Sequence, residues 1–194
     1  MIIFQNTEED YQYVQYLEEQ VETNRRKINQ MKPGHSWVKK TELKFIANRI
    51  KYYGLKRGIC HGARTGAEVR TLRKLTGSYI IGTDISPTAK NYEFMLQADM
   101  NFTVKKAWLG YFDFIYSNSF DHAYDPAQTI TAWREQLRPG GFLFLHWGKE
   151  HSRVNRINRI GGSNEKLLEF MNGRFFYHAK IDQFVDRPIL IFIK

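Results

Sequence analysis

Gly62-Ala63-Arg64-Thr65-Gly66 stands between a short apolar run and a helical pattern, the place where a turn can receive a ligand. A ligand can lie over such a turn only where side chains are absent, and glycine permits both the close approach and the unusual dihedrals. The helix that follows presents free N–H groups to an anionic or polar ligand. Asp84 comes about 20 residues later, where an acid in nucleoside sites accepts hydrogen bonds from the ribose hydroxyls; it can equally be a turn or N-cap aspartate before Ser86-Pro87. Asp99, in Leu96-Gln97-Ala98-Asp99-Met100, can accept from an exocyclic amine while its apolar neighbours sandwich a flat base, or be a solvated loop acid. Three histidines follow late apolar runs: His122, His146 and His151. Each can act as a general base or simply be structural.

These residues need a frame. Thr7 can cap a helix that begins near Glu8, with Asp10 in its first turn and Tyr11, Val14, Leu17, Val21 and Ile28 on one face. Asn24-Arg25-Arg26-Lys27 gives it a basic end and Pro33-Gly34 stops it. A second helix is expected from about Ser36 or Thr41 to Tyr53, closed by Gly54. Strands are then expected at Gly58–His61, Tyr79–Asp84, Phe94–Gln97, Phe112–Ser117 and Phe142–Trp147. Helices are expected at Ala67–Leu75, from Ser86 or Pro87, at Pro126–Leu137 and at Ser163–Met171, with Arg138-Pro139-Gly140-Gly141 as the turn into the fifth strand. Two terminal strands, near Phe175–Lys180 and Pro188–Ile193, suggest a closing hairpin with an antiparallel last strand. Strands alternating with helices imply a mostly parallel sheet covered on both faces, an α/β three-layer sandwich. Residues 1–54 read as a helical extension packed on a core of residues 55–194, a single compact unit of 194 residues overall.

Composition narrows the partners. The net charge of +9 favours anionic ones, nucleic acid or phosphorylated and acidic small molecules. The basic stretch Lys149, His151, Arg153, Arg156 and Arg159 places charge after strand five, either for an anionic ligand or as a solvated loop. Cys60 is the single cysteine, so no internal disulfide forms and a reducing cytoplasm is the natural location. The N-terminus lacks a signal-peptide pattern, and no apolar run reaches the ~18 residues of a membrane span. No Cys/His cluster has zinc spacing, so no metal is expected.

From Gly58 to Trp147 the order of pieces resembles the class I S-adenosylmethionine (SAM)-dependent methyltransferases, especially the type-11-like group, with a Rossmann-like fold and a seven-stranded sheet. Gly62 to Gly66 is similar to that family's first motif. Asp84 matches the acid that holds the SAM ribose, and Asp99 the acid beside the adenine amine. Ser117-Asn118-Ser119-Phe120-Asp121-His122 resembles the loop facing the methionine part and the acceptor, and Leu137-Arg138-Pro139-Gly140-Gly141-Phe142-Leu143 the turn into strand five. The resemblance implies SAM as cofactor, held by Gly62, Ala63, Arg64, Gly66, Asp84, Ile85, Asp99, Met100, Ser117 and Asn118. It implies methyl transfer to an unidentified acceptor, expected to be a small or sugar-like molecule, by in-line substitution. His122 is the first choice for a general base and His146 the second.

Two departures stand out. The family has an acid where Cys60 stands and a glycine where Arg64 stands. Arg64 can reach the methionine carboxylate or point to solvent, and a buried strand cysteine is a small hydrophobe rather than a nucleophile. Asn118-Ser119-Phe120-Asp121 lacks the prolines of the amino-methylating DNA enzymes, which argues against adenine or glutamine N-methylation. An RNA methyltransferase and a non-catalytic nucleoside-binding protein of the same fold remain the alternatives. A nicotinamide enzyme is disfavoured because the turn lacks G-x-G-x-x-G.

Overall fold

The computed structural model describes residues 3–4, 13–30, 36–147, 160–181 and 188–194. The sequence readings at Thr7, Glu8, Asp10, Tyr11, Pro33-Gly34, Lys149, His151, Arg153, Arg156 and Arg159 fall outside them. In chain order the elements are β1 (Ile3–Phe4), α1 (Tyr13–Gln30), α2 (Lys40–Tyr52), β2 (Arg57–His61), α3 (Ala67–Thr76), β3 (Tyr79–Asp84) and β4 (Met95–Gln97). Then come β5 (Phe112–Ser117), α4 (Pro126–Gln136), β6 (Leu137–His146), β7 (Ile160–Gly161), α5 (Asn164–Met171), β8 (Phe176–Ile181) and β9 (Ile189–Ile193). Short 3-10 turns at Pro87–Asn91, Lys106–Trp108 and Phe120–His122 join them.

Seven strands form one sheet in the order β4-β3-β2-β5-β6-β9-β8, and β1 pairs with β7 in a separate ribbon. Strands β2 to β6 pair in parallel, and β9 runs antiparallel between β6 and β8. The sheet is therefore mostly parallel with an antiparallel last strand, and that strand lies one place in from the edge. Period-two alternation splits each strand between two cores. Ile59, Ile81, Ile115, Leu143 and Leu145 meet Ile130 and Trp133 of α4 and Leu167 of α5. Cys60, Ile80, Phe114, Tyr116 and Phe144 meet Ile46 and Ile50 of α2 and Val69 and Leu72 of α3.

Helix α4 begins as its sequence dictates: the Asp125 carboxylate accepts from the N–H groups of Ala127 and Gln128, with Pro126 at the first position. Strand β6 differs from expectation. It starts at Leu137 and includes Arg138-Pro139-Gly140-Gly141. Lys194, just beyond β9, accepts at its carbonyl from Gly140 N–H and donates its N–H to Gly141 O, and Arg138 Nε reaches Asp113 Oδ1 at 2.7 Å. Residues with turn chemistry are thus drawn into the strand by partners far away in the chain, with Gly140 keeping a left-handed φ of 70°.

Because β2 is flanked by β3 on one side and β5 on the other, the chain reverses its direction of winding there. A crevice opens at the carboxyl ends of strands at such a point.

Candidate functional site

The turn after β2 folds back tightly. Ala63 N–H donates to Thr83 O at 2.9 Å and Gly66 N–H to Ala63 O at 2.6 Å. Gly62 has φ +69°, and a Cβ there would lie 2.5 Å from Ser119 Cβ, so only glycine fits. Arg64 takes φ 45° despite its side chain. A non-glycine residue in the left-handed region is uncommon and concentrates where function fixes the backbone.

A single cavity gathers this turn and the two acids. Gly62 and Arg64 line it from the turn, Asp84 and Ile85 from the end of β3, and Ala98, Asp99 and Met100 from the end of β4. Ser119 and His122 line it beyond β5, and Tyr16, Gln20, Thr23, Asn24 and Lys27 close it from α1. The centres of water-sized spheres have about 50 Å³ there, a few waters at roughly 10–15 Å³ each.

Both carboxylates are well supplied with donors. Asp84 Oδ1 accepts from Asn24 Nδ2 at 2.8 Å and Ser86 N–H at 3.0 Å, and Oδ2 from Arg64 N–H at 2.9 Å. Asp84 is therefore both the turn aspartate and a wall of the cavity. Burial raises its pKa; the two backbone donors and the Arg64 charge offset this in part. Asp99 accepts from Asn101 N–H at 2.8 Å and Asn101 Nδ2 at 2.6 Å, and from the Tyr13 hydroxyl. Burial and then Asp99 push the Tyr13 phenol above its usual range. A carboxylate offers about four lone-pair sites, so each of these retains one for a ligand.

Positive charge collects at the turn. Arg64 and Lys27 lie over the same Trp37 ring, at 5.8 and 6.0 Å from its centroid. Burial first, then the Arg64 charge, lower the Lys27 pKa, while Asp121 raises it. His122 lines the cavity, and its backbone carbonyl accepts from Tyr16 Oη at 3.1 Å.

Of the residues predicted from sequence, the cavity brings together Gly62, Arg64, Asp84, Ile85, Asp99, Met100 and His122. Ala63 is buried behind the turn, Gly66 caps α3, and half-buried Asn118 does not line the cavity. Ser117 is buried and braces the loop, its hydroxyl donating to His61 O and accepting from Ser119 N–H. His146 is fully buried, bonded to Tyr116 Oη at 2.9 Å and 3.9 Å from the Glu42 carboxylate, so no acceptor can touch it.

The residues missed lie on α1. Val14 was expected on its packed face but is 57% exposed, whereas Tyr16, Gln20 and Asn24 are buried. Spacing of four residues placed these polar groups on one face, and that stripe was the available signal.

Residues 59–145 match the family model described as a methyltransferase domain. No curated protein matches the chain. A solved structure of Burkholderia thailandensis 1,6-didemethyltoxoflavin-N1-methyltransferase, with bound 1,6-didemethyltoxoflavin and S-adenosylhomocysteine, is similar at TM-score 0.67 and 12% identity, covering 100% of this chain and 94% of that one. A putative methyltransferase in complex with the Haloferax volcanii Trm112 methyltransferase activator is similar at TM-score 0.62 and 16% identity, with 80% and 98% covered. A SAM-dependent methyltransferase from Aquifex aeolicus is similar at TM-score 0.60 and 14% identity, with 80% and 93% covered.

Proposed function

We propose that this chain, which has the class I SAM-dependent methyltransferase fold and a methyltransferase domain over residues 59–145, binds SAM across the Gly62–Gly66 turn and methylates a small, anionic acceptor. The observation that carries the reading is that Asp84, the last residue of β3, and Asp99, two residues beyond the adjacent β4, line one cavity with the glycine turn. Fold alone does not assign function, so the site must support it.

The residues present fit the cofactor. Gly62 leaves the space a Cβ would fill, and Asn24 Oδ1 is a buried acceptor that no described donor reaches. Asp84 would take the ribose, Asp99 the adenine amine, and Ile85 and Met100 the faces of the base. Ala63, Gly66, Ser117 and Asn118 would hold the loops around it. When bound, SAM supplies an electrophilic methyl group on a sulfonium. The chain's own work is then alignment and water exclusion, the second by α1. His122, on the cavity, would take the acceptor proton at its imidazole.

Titration calorimetry with SAM and S-adenosylhomocysteine tests the cofactor, and transfer of labelled methyl to small anionic acceptors tests the reaction. Saturable binding of both with turnover on a small molecule is expected; absence of binding overturns the reading. Binding without turnover on any acceptor class favours a non-catalytic protein. An RNA acceptor would instead show affinity falling steeply with salt.

A further inference from the structure

We infer that the amino edge of the sheet is a binding surface for single-stranded nucleic acid. This does not depend on the cofactor reading, because the cavity lies at the opposite, carboxyl end of the strands. The six residues of β3 separate the two ends by about 20 Å at ~3.3 Å per residue.

Parallel pairing sets the first residues of neighbouring strands side by side, so whatever the sequence puts there forms a row. Arg57, the first residue of β2, is in register with Tyr79, the first of β3. Tyr111 immediately precedes β5, and Arg138 is the second residue of β6. Along the sheet order β3-β2-β5-β6 the row reads Tyr79, Arg57, Tyr111, Arg138. Phe94, just before the shorter β4, joins it through Arg73 from the last turn of α3. The Arg73 guanidinium lies 3.7 Å from the Phe94 ring centroid and 5.8 Å from that of Tyr79. The Arg57 guanidinium lies 4.7 Å from the Tyr111 centroid. Aromatic rings and guanidinium groups therefore alternate along one edge.

The rings face water rather than a core: Tyr79 is 51% exposed and Tyr111 37%. The row is also cationic. Arg57 and Arg138 share the carboxylate of Asp113, at 3.3 and 2.7 Å, and Arg73 and the exposed Lys56 add to their charge. At its ends, Glu93 precedes Phe94, and Glu135 acts on Lys194. Cations alone would suit any polyanion; the exposed rings select among them. A duplex keeps its bases stacked on one another, and an acidic peptide has no aromatic face to offer. Each base of a single strand can stack on a ring or a guanidinium while its phosphate meets the charge.

The test is fluorescence anisotropy with a labelled oligouridylate, an RNA duplex of equal length, oligoglutamate, and anionic phosphatidylserine vesicles as competitor. The wild type is expected to bind the single strand at least about fivefold more tightly than the duplex, a readout independent of how variants fold. Tyr79→Ala and Tyr111→Ala are each expected to weaken the single strand by about 5- to 100-fold, and Tyr79→Phe, which keeps the ring, to stay within about twofold of wild type. Arg57→Gln is expected to lower the slope of log affinity against log salt by about 0.7, a slope that the tyrosine variants leave unchanged. No binding of the single strand at low salt overturns the proposal. Equal affinity for the duplex or for oligoglutamate, or displacement by the vesicles at matched charge, reduces the edge to an unselective cationic patch and overturns it too. Undiminished binding in both alanine variants shows that the strand lies elsewhere and has the same consequence, and none of these outcomes bears on binding of S-adenosylhomocysteine in the cavity.

Discussion

Asn24 and Asp84 are joined by a 2.8 Å hydrogen bond that ties the middle of α1 to the end of β3. The bond fixes the amide: its nitrogen must face the carboxylate, so Oδ1 is left buried among groups that offer it no described donor. Helix α1 is thus part of the cavity wall rather than an outer layer.

Replacing Asn24 with alanine removes both the tether and that waiting acceptor. S-adenosylhomocysteine affinity is expected to fall about tenfold, the worth of one hydrogen bond in a buried site. Calorimetry reads this, and hydrogen exchange should show faster exchange of α1 amides, because polar contacts from Tyr13, Tyr16 and Asn24 hold the helix there. Unchanged affinity would place Asn24 outside the site.

Asp84→Asn acts on stability and binding together. Three N–H donors converge on the carboxylate, from Asn24, Arg64 and Ser86. An amide has one oxygen and turns its NH2 toward N–H groups, so at least one buried donor loses its partner at ~1–3 kcal/mol. Urea unfolding is expected to show that loss, and S-adenosylhomocysteine affinity to fall more than about 100-fold, since the carboxylate would accept ribose hydroxyls as charge-assisted bonds. Normal affinity in a destabilised variant would remove Asp84 from the ribose role.

The strands were legible because their alternation and their glycine or proline boundaries are local signals. Tyr79–Asp84 and Phe112–Ser117 fall where the pattern puts them. What could not be read were the pairings that cross the chain. Arg138-Pro139-Gly140-Gly141 has turn chemistry and becomes strand because Lys194 and Asp113 bind it. The apolar face expected for α1 is not the packed one, because a helix over a polar cavity buries Gln20 and Asn24 instead. Asp84, Asp99 and the turn are legible because each ends or closely follows a strand; the lining from Tyr16 to Lys27 is not, because polar residues on a helix usually face water.

Gly62→Ala tests the close approach of the turn to the loop after β5. The new Cβ would stand 2.5 Å from Ser119 Cβ and 2.7 Å from Ser119 Oγ, with Met100 Sδ next at 3.9 Å. Left-handed backbone adds roughly 1–2 kcal/mol, and the clash a further ~1–3 kcal/mol. A double-mutant cycle separates the two. In a Ser119→Gly background the cost of Gly62→Ala should drop to the backbone part alone, about 1–2 kcal/mol. The same cost in both backgrounds would mean that Ser119 is not what excludes a side chain.

His61, beside the turn, makes stability depend on pH through its own burial. It is buried in β2, stacked on Trp133 with ring centroids 5.1 Å apart, and bonded to Thr83 Oγ1 at 2.8 Å and Gln136 Oε1 at 3.0 Å. Burial lowers its pKa from 6.5 to about 4, the Gln136 contact offsetting part of the effect. Unfolded, it titrates near 6.5, so between that value and about 4 the unfolded chain binds the extra proton. Stability from the neutral imidazole is therefore complete above pH 6.5 and is lost as pH falls through about 4. The whole effect is about 3 kcal/mol. His61→Gln keeps a donor and an acceptor but cannot titrate; it should cost stability at neutral pH, where the Trp133 stack is lost, yet flatten the pH profile by about 3 kcal/mol. Urea midpoints of both proteins from pH 7.5 down to 4 read the difference in slope, and parallel profiles would show that His61 is protonated in the folded chain as readily as in the unfolded one.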